Sequence, residues 1–311
     1  MEFVHKPIMV EECISMLNIM PNGIYVDGTV GGGGHSYEIA SRLNQEGMLI
    51  CIDRDKEAIE ASKNRLAKLE KNIKFIHNNF CNIKKVVEGI TNDFVDGILI
   101  DLGVSSYQMD NSERGFSYQA DALLDMRMDK GQTLTAETVV NQYDKDRLVE
   151  IIFSYSEERW AKRIAEFIVR YRQERRIRTT AELVEIIKKA IPAAARRDGP
   201  HPAKRTFQAI RIEVNNELTI LRDAIKNAVD CLNRGGRICI ITFHSLEDRI
   251  VKQTYAALEG KCTCPPDFPV CRCKNKTYGK VVNRKPIEPS QAEILDNPRA
   301  RSAKLRVFER N

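Results

Sequence analysis

Between residues 24 and 101, short apolar runs alternate with segments of helical period, and this rhythm constrains the fold more than any other feature of the chain. Ile24-Tyr25-Val26-Asp27, Met48-Leu49-Ile50-Cys51-Ile52-Asp53, Ile73–His77 and Gly97-Ile98-Leu99-Ile100-Asp101 read as strands, and His35–Leu43 and Lys56–Leu69 as helices. The apolar runs are continuous rather than alternating, so both faces of each strand must be covered. That is the condition of a parallel sheet between two layers of helix. The expected fold class is α/β, with a doubly wound, Rossmann-like sheet.

The rhythm then breaks. Residues 102–120 follow neither period, and so long a loop in a compact domain is usually functional. Consecutive amphipathic helices follow from about Thr135 to Ile191, with no strand between them. After Asp198-Gly199-Pro200-His201-Pro202 a long helix is expected over about Lys204–Asn233. Gly235-Gly236 ends it, Arg237–Phe243 is a strong strand signal, and Ala303–Phe308 alternates as a last strand should. The predicted organisation is a discontinuous sheet domain, residues 1–106 and 204–311, interrupted over 107–203 by a loop and an all-helical, RNA-binding domain.

Charge supports the RNA-binding reading. The chain carries a modest net +6, yet from Arg159 to Arg211 fifteen Lys or Arg stand against five acids, a net of +10 that leaves −4 for the rest. A basic segment on an otherwise acidic body suits a polyanion, because Lys and Arg displace counterions from phosphates. Arg196, Arg197, Lys204 and Arg205, around the Pro-His turn, are the expected phosphate contacts.

Asp27-Gly28-Thr29-Val30-Gly31-Gly32-Gly33-Gly34-His35 lies between the first strand and the first helix. Glycines there let backbone approach a ligand, and the helix N-terminus offers unpaired N–H groups. Asp53 ends the next strand, where a carboxylate can accept both hydroxyls of a ribose. A dinucleotide fingerprint fails, because the register from Gly31 puts Ser36 where the third glycine belongs, and there is no P-loop. An acid ending the first strand repels phosphates and suits a cation. S-adenosylmethionine fits that electrostatics best.

Seven ordered blocks carry a family resemblance. They are Asp27–Ser36, Asp101-Leu-Gly-Val-Ser-Ser106, Glu113-Arg-Gly-Phe-Ser117, Asp125-Met-Arg-Met-Asp129, Thr206-Phe-Gln-Ala-Ile-Arg-Ile212, Thr242-Phe-His-Ser-Leu-Glu-Asp-Arg249 and Asn297-Pro-Arg-Ala-Arg-Ser302. Together they resemble the RsmH (MraW) family over essentially the whole chain. The resemblance implies an S-adenosylmethionine-dependent methyltransferase acting on N4 of a cytidine in the decoding region of 16S ribosomal RNA, with that RNA or the small ribosomal subunit as partner. It also implies cofactor contacts at Gly33, Gly34, His35, Asp53, Phe80, Asp101 and Gln108. Many amino-methyltransferases carry Asp or Asn followed by Pro-Pro and an aromatic where this chain reads Asp101-Leu-Gly-Val-Ser105. The group that polarises the amine is therefore sought among Asp101, Ser105 and His244, and Tyr107, Phe116 and Tyr118 are available to receive an unstacked base. The alternative is a non-catalytic RNA-binding assembly factor with a vestigial pocket.

The apolar runs are too short to cross a bilayer, and Met1–Pro7 lacks a secretory hydrophobic region, so a reducing cytoplasmic location is expected. The nine cysteines then read as thiols or metal ligands before disulfides. Cys262, Cys264, Cys271 and Cys273 form two Cys-x-Cys pairs across a Pro-rich loop. Their number suits tetrahedral zinc while their spacing departs from Cys-x-x-Cys, and a structural zinc is expected there against reduced thiols. Cys13, Cys51, Cys81, Cys231 and Cys239 fall in helix or strand patterns and are expected in the core.

Overall fold

The computed structural model describes residues 7–197, 199–260 and 276–311. The chain divides into two units, Met1–Gly103 with Leu218–Asn311, and Val104–Glu217. The first holds a single sheet of β1 (Ile24–Asp27), β2 (Met48–Asp53), β3 (Asn72–His77), β4 (Val95–Asp101), β5 (Leu232–Thr242), β6 (Gly279–Val281) and β7 (Lys304–Arg310). Their order is β3-β2-β1-β4-β5-β7-β6. Strands β1 to β5 run parallel, while β7 lies antiparallel to β5 and β6 antiparallel to β7. The chain winds outward from β1 to β3 and then restarts on the other side at β4, so the switch point lies between β1 and β4. This is a Rossmann-like sheet with a reversed strand near one edge.

Both faces are covered, as the continuous apolar strands require. Val26, Ile50, Ile52, Ile98, Ile100, Ile238 and Ile240 join one buried cluster with α4 (Ile83–Glu88), α11 (Leu221–Asp230) and α12 (Ser245–Leu258). The intervening residues Tyr25, Leu49, Cys51, Leu99, Cys239 and Ile241 join another with α1 (Val10–Leu17), α2 (Gly34–Arg42) and α3 (Lys56–Leu66). Successive strand side chains point to opposite faces, and each finds an apolar partner layer. Cys13, Cys51, Cys231 and Cys239 are buried in these clusters; Cys81 is only half-buried, a departure from the expected core position.

The helical unit contains α5 (Ser106–Asp110), α6 (Ala136–Gln142), α7 (Lys145–Ser156), α8 (Ala161–Glu174), α9 (Thr180–Ala190) and α10 (Lys204–Asn215). Its core gathers Leu148, Ile152, Ile164, Ile168, Leu183, Ile187, Phe207, Ile210 and Val214. The sequence placed the second junction at residue 204, but α10 buries Phe207, Ile210 and Val214 here, so the helical unit runs to Glu217. The expected helix over Lys204–Asn233 is also two helices. Asn216 takes a left-handed φ of 51° and caps α10, and Leu221 starts α11. A short helix α13 (Gln291–Asp296) returns to the sheet unit, where Glu293 Oε1 accepts from the backbone N–H of Met9. No helix among the described residues is long and apolar enough to cross a membrane.

Candidate active site

The register makes a notch at the switch point. Asp27, the last residue of β1, lies opposite Cys51 on β2 and Leu99 on β4, so both neighbours run two residues further, to Asp53 and Asp101. The glycine loop leaves β1 inside this notch. Its backbone is tied to both walls: Gly28 N–H donates to Leu99 O at 2.8 Å and Val30 N–H to Ile52 O at 2.9 Å. Three strand-terminal carboxylates thus converge on the carboxyl rim, where open α/β sheets bind ligands.

Each carboxylate is differently occupied. Asp27 is 1% exposed; its Oδ2 accepts from Ser36 Oγ at 2.6 Å and its Oδ1 from Thr29 N–H at 3.1 Å. Asp53 accepts from Gly31 N–H on Oδ2 and from Asp55 N–H on Oδ1, both at 2.8 Å, which fixes its plane. Burial pushes both acids up to about 6 against the bonds that favour their charged forms. Asp101 is pushed well above the usual carboxylate range, by burial first and then by the charges of Asp27 and Glu247. Its backbone N–H donates to Thr29 Oγ1 at 2.6 Å, and its buried Oδ1 has no hydrogen-bond partner. The sequence reading gave Asp27 the task of facing a cation, but it is 1% exposed and each of its oxygens already accepts a bond, from Ser36 or Thr29. Asp101 is the carboxylate with a buried oxygen that no hydrogen bond uses.

The glycines divide by what they face. A side chain on Gly33, whose φ is 74°, would meet Leu66 Cδ1 at 2.9 Å and Ser62 Cβ at 3.1 Å, and one on Gly34 would meet Pro7 at 2.7 Å. These two are glycines because α3 and the N-terminal segment pack against them, leaving their backbone as what they can offer a ligand. Gly32 has open space at that position. Phe80, 9% exposed, follows β3 and lies 3.4 Å from where a Gly28 side chain would start. His35, in the first turn of α2, is 6% exposed, with Nε2 2.9 Å from Ile8 O and Nδ1 3.9 Å from Asp101 Oδ2.

The other two catalytic candidates serve as helix caps. His244 follows β5 as N-cap of α12; its Nδ1 accepts from Glu247 N–H at 3.4 Å, and its Nε2 lies 3.1 Å from Glu247 Oε1. Glu247, 2% exposed, closes the capping box by accepting from His244 N–H at 3.3 Å, and its Oε2 also accepts from Phe243 N–H at 2.8 Å. Ser105 and Gln108 belong to the helical unit and form a capping box of their own. Ser105 Oγ accepts from Gln108 N–H at 3.2 Å, and Gln108 Oε1 from Ser105 N–H at 3.1 Å. Gln108 is 4% exposed. Sequence reasoning missed Thr29, Ser36 and Glu247, which orient the carboxylates and the β5 end. Only Glu247, three residues after a residue able to cap, carried a local signal.

A family model described as the MraW methylase family matches residues 2–311. The chain belongs to that family. The ribosomal RNA small subunit methyltransferases H of Lachnospira eligens and Clostridioides difficile are each 56% identical to it over 310 residues, with 100% of this chain covered and 98% and 100% of theirs. The protein of the same name from Acetivibrio thermocellus is 56% identical over 312 residues, with full coverage of both chains. The RsmH (MraW) resemblance drawn from the seven blocks is therefore borne out, and the sheet is that of a methylase.

In the helical unit, Arg196, Arg197, Lys204 and Arg205 are exposed. Arg196 Nε donates to Ile191 O at 3.1 Å, and Arg205 Nη1 to Glu157 O at 3.2 Å. His201 stacks on Tyr118 with ring centroids 4.7 Å apart and planes within 9°. Phe116 is 5% exposed within the helical core, which removes it from the aromatics expected to receive a base. Tyr107 keeps 44% exposure. The cysteines at 262, 264, 271 and 273 lie outside the described residues, among which no group of His, Cys, Asp and Glu gathers as a metal site.

Proposed function

We propose that this chain transfers the methyl group of S-adenosylmethionine to N4 of a cytidine in the decoding region of 16S ribosomal RNA. The family and the names of the full-length relatives support ribosomal RNA of the small subunit as the substrate class. The observation that carries the chemistry is Asp101, a carboxylate at the switch-point rim whose Oδ1 is buried without a partner.

The residues present fit a positively charged adenosyl cofactor. Asp53 is held rigid by two backbone N–H groups and keeps lone pairs for a ribose diol, Gly32 opens the loop, and Phe80 stands beside Gly28 to meet an adenine face. Gly33, Gly34 and His35 offer backbone at the start of α2, and Gln108 is assigned to the cofactor by the family resemblance alone. The raised acids need positive charge to ionise at low cost, and a sulfonium supplies it. The bound cofactor contributes a methyl group already activated on sulfur, so the protein's work is alignment and proton management. The N4 lone pair of cytosine is delocalised into its ring. Asp101 accepts hydrogen from that amine, localises the lone pair, and takes the proton lost after transfer. Ser105 and His244, occupied as caps, are placed second to it.

The basic stretch of the helical unit grips the RNA backbone. Replacing Arg196 and Arg197 by Ala is expected to raise the KM for RNA about tenfold at physiological salt and to reduce the slope of log KM against log salt by about 1 to 2. Cofactor affinity should not change; weakened cofactor binding with an unaltered RNA KM would count against this grip. The direct test of the function is tritiated methyl transfer to free RNA, to DNA and to assembled small subunits, with digestion to nucleosides. Label in N4-methylated cytidine from the RNA or subunit arm supports it. Incorporation only into DNA, or none anywhere while the folded protein binds RNA, sinks it. For Cys262, Cys264, Cys271 and Cys273 we propose a structural zinc. One equivalent in purified, chelator-washed protein supports that, and none under reducing conditions ends it.

A further inference from the structure

Three rings of the helical unit form a ladder that starts in its core and stops at an open rung. Phe207 of α10 is buried in that core and meets Tyr118 in a T-shaped contact, with centroids 5.9 Å apart and planes at 84°. Tyr118 is half-buried against the same core, and His201 lies flat on it at 4.7 Å. Tyr118 has thus given a face to His201, which counts against it as the ring that receives a base. His201 is half-buried and touches no second ring among the described residues.

The last ring is held in place before any ligand arrives. Ala203 N–H donates to His201 Nδ1 at 3.2 Å, and Lys204 N–H donates to the His201 carbonyl O at 3.0 Å. Nδ1 is therefore the bare nitrogen, and the hydrogen of the neutral ring sits on Nε2. Burial first, and the charge of Lys188 after it, lower the pKa of His201, so the ring is uncharged at neutral pH. A turn of this kind needs only a short acceptor, which Asn or Asp supplies. The imidazole adds a flat surface whose orientation is fixed by the bond and the stack, so little rotamer freedom remains to be lost on binding.

Exposed Arg196, Arg197 and Lys204 flank this ring along the chain. A flat rung set among cations matches a strand that carries phosphates and aromatic bases together. The bases of a duplex are already stacked on one another, whereas an unpaired base has a face to give. We propose that His201, backed by Tyr118 and Phe207, is the stacking platform for an unpaired base of the bound RNA. The proposal rests on the RNA-binding reading given above and deepens it. The cations hold the backbone of any RNA, and the ring favours a single strand over a duplex. Because the ring is neutral, its contribution releases no counterions and adds nothing to the salt dependence.

The test is fluorescence anisotropy with the full chain and a labelled oligoribonucleotide of the decoding-region sequence, single-stranded or paired with its complement, over a series of salt concentrations. His201→Asn keeps an oxygen able to accept from Ala203 N–H but has no ring. It is expected to unfold at the wild-type temperature and to bind the single strand about tenfold more weakly at every salt concentration, with the slope of log Kd against log salt unchanged. His201→Phe keeps a ring and loses the acceptor, and should bind the single strand within about twofold of wild type. Neither change should alter affinity for the duplex. The reverse pattern in folded protein, binding kept by His201→Asn and lost by His201→Phe, means that His201 serves the turn alone, and it overturns the platform while the cationic grip stands. Wild-type affinity in both variants, or equal losses for single strand and duplex, overturns it as well. A wild type that binds neither oligonucleotide removes the grip and the platform together.

Discussion

Asp101→Asn is expected to lower kcat for methyl transfer by about 10³-fold, within the range lost when a general base is removed. The amide is nearly isosteric and can still accept one hydrogen bond, but it cannot take the proton that N4 loses in the proposed reaction. The fold should survive. The wild-type carboxylate is half-buried, opposed by Asp27 and Glu247, and has a buried oxygen without a partner, so a neutral replacement removes a source of strain rather than a tie. Its backbone N–H keeps the bond to Thr29 in either case. Single-turnover transfer gives the rate and thermal unfolding gives the fold. Turnover near the wild-type rate would return the role to Ser105 or His244. Ser105→Ala, by contrast, removes an N-cap worth about 1 kcal/mol and is expected to cost stability in the helical unit before it costs rate. The same reasoning holds for His244, whose Nδ1 is committed to the first turn of α12.

The difference between these three candidates was not legible in the sequence. Asp101, Ser105 and His244 all follow apolar runs, and a residue after a strand can be a catalyst or the cap of the next helix. What separates them is whether a backbone N–H already uses the side chain, and that depends on the turn taken two or three residues later. The sheet itself was legible because continuous runs such as Leu49–Ile52 and Ile98–Ile100 leave a strand no exposed face, and the structure gives each of those residues a covering helix. Family membership was legible too, through seven blocks spread along the whole chain.

Boundaries fared less well where one polar residue decides them. Nothing in the apolar pattern from Lys204 to Asn233 marks Asn216, yet its left-handed conformation ends one helix and hands the chain from one unit to the other. Phe116 is the converse case. An aromatic in an aperiodic loop is available to a nucleobase on paper, but the tertiary fold draws it into the helical core. Gly33 and Gly34 show the same override on a smaller scale. Their spacing marked the loop as a place of close approach, and the groups that approach these two in the structure are Leu66, Ser62 and Pro7.

The rim carboxylates also set how stability responds to pH in the cofactor-free protein. Asp27 and Asp53 sit at about 6 against an ordinary 3.8, so the native state binds protons that the unfolded chain has released. Their contribution is present in full below about pH 4 and is lost as pH rises through 6. At about 1.4 kcal/mol per unit, each is worth on the order of 2–3 kcal/mol at most. Buried neutral His35 acts in the opposite sense over the same window, because the unfolded ring takes up a proton the native one refuses. Acids with lowered values, such as Asp125 and Glu309, matter only nearer pH 4. The clean measurement is therefore a difference. Asp27→Asn should gain about 2 kcal/mol relative to wild type between pH 4.5 and 7, read by chemical denaturation of both proteins across that range. A saturating cationic cofactor should narrow the gap at pH 7, because it favours the ionised rim that the variant lacks. A difference that stays flat with pH would mean that Asp27 titrates as it does in the unfolded chain, and that the notch does not withhold it from water.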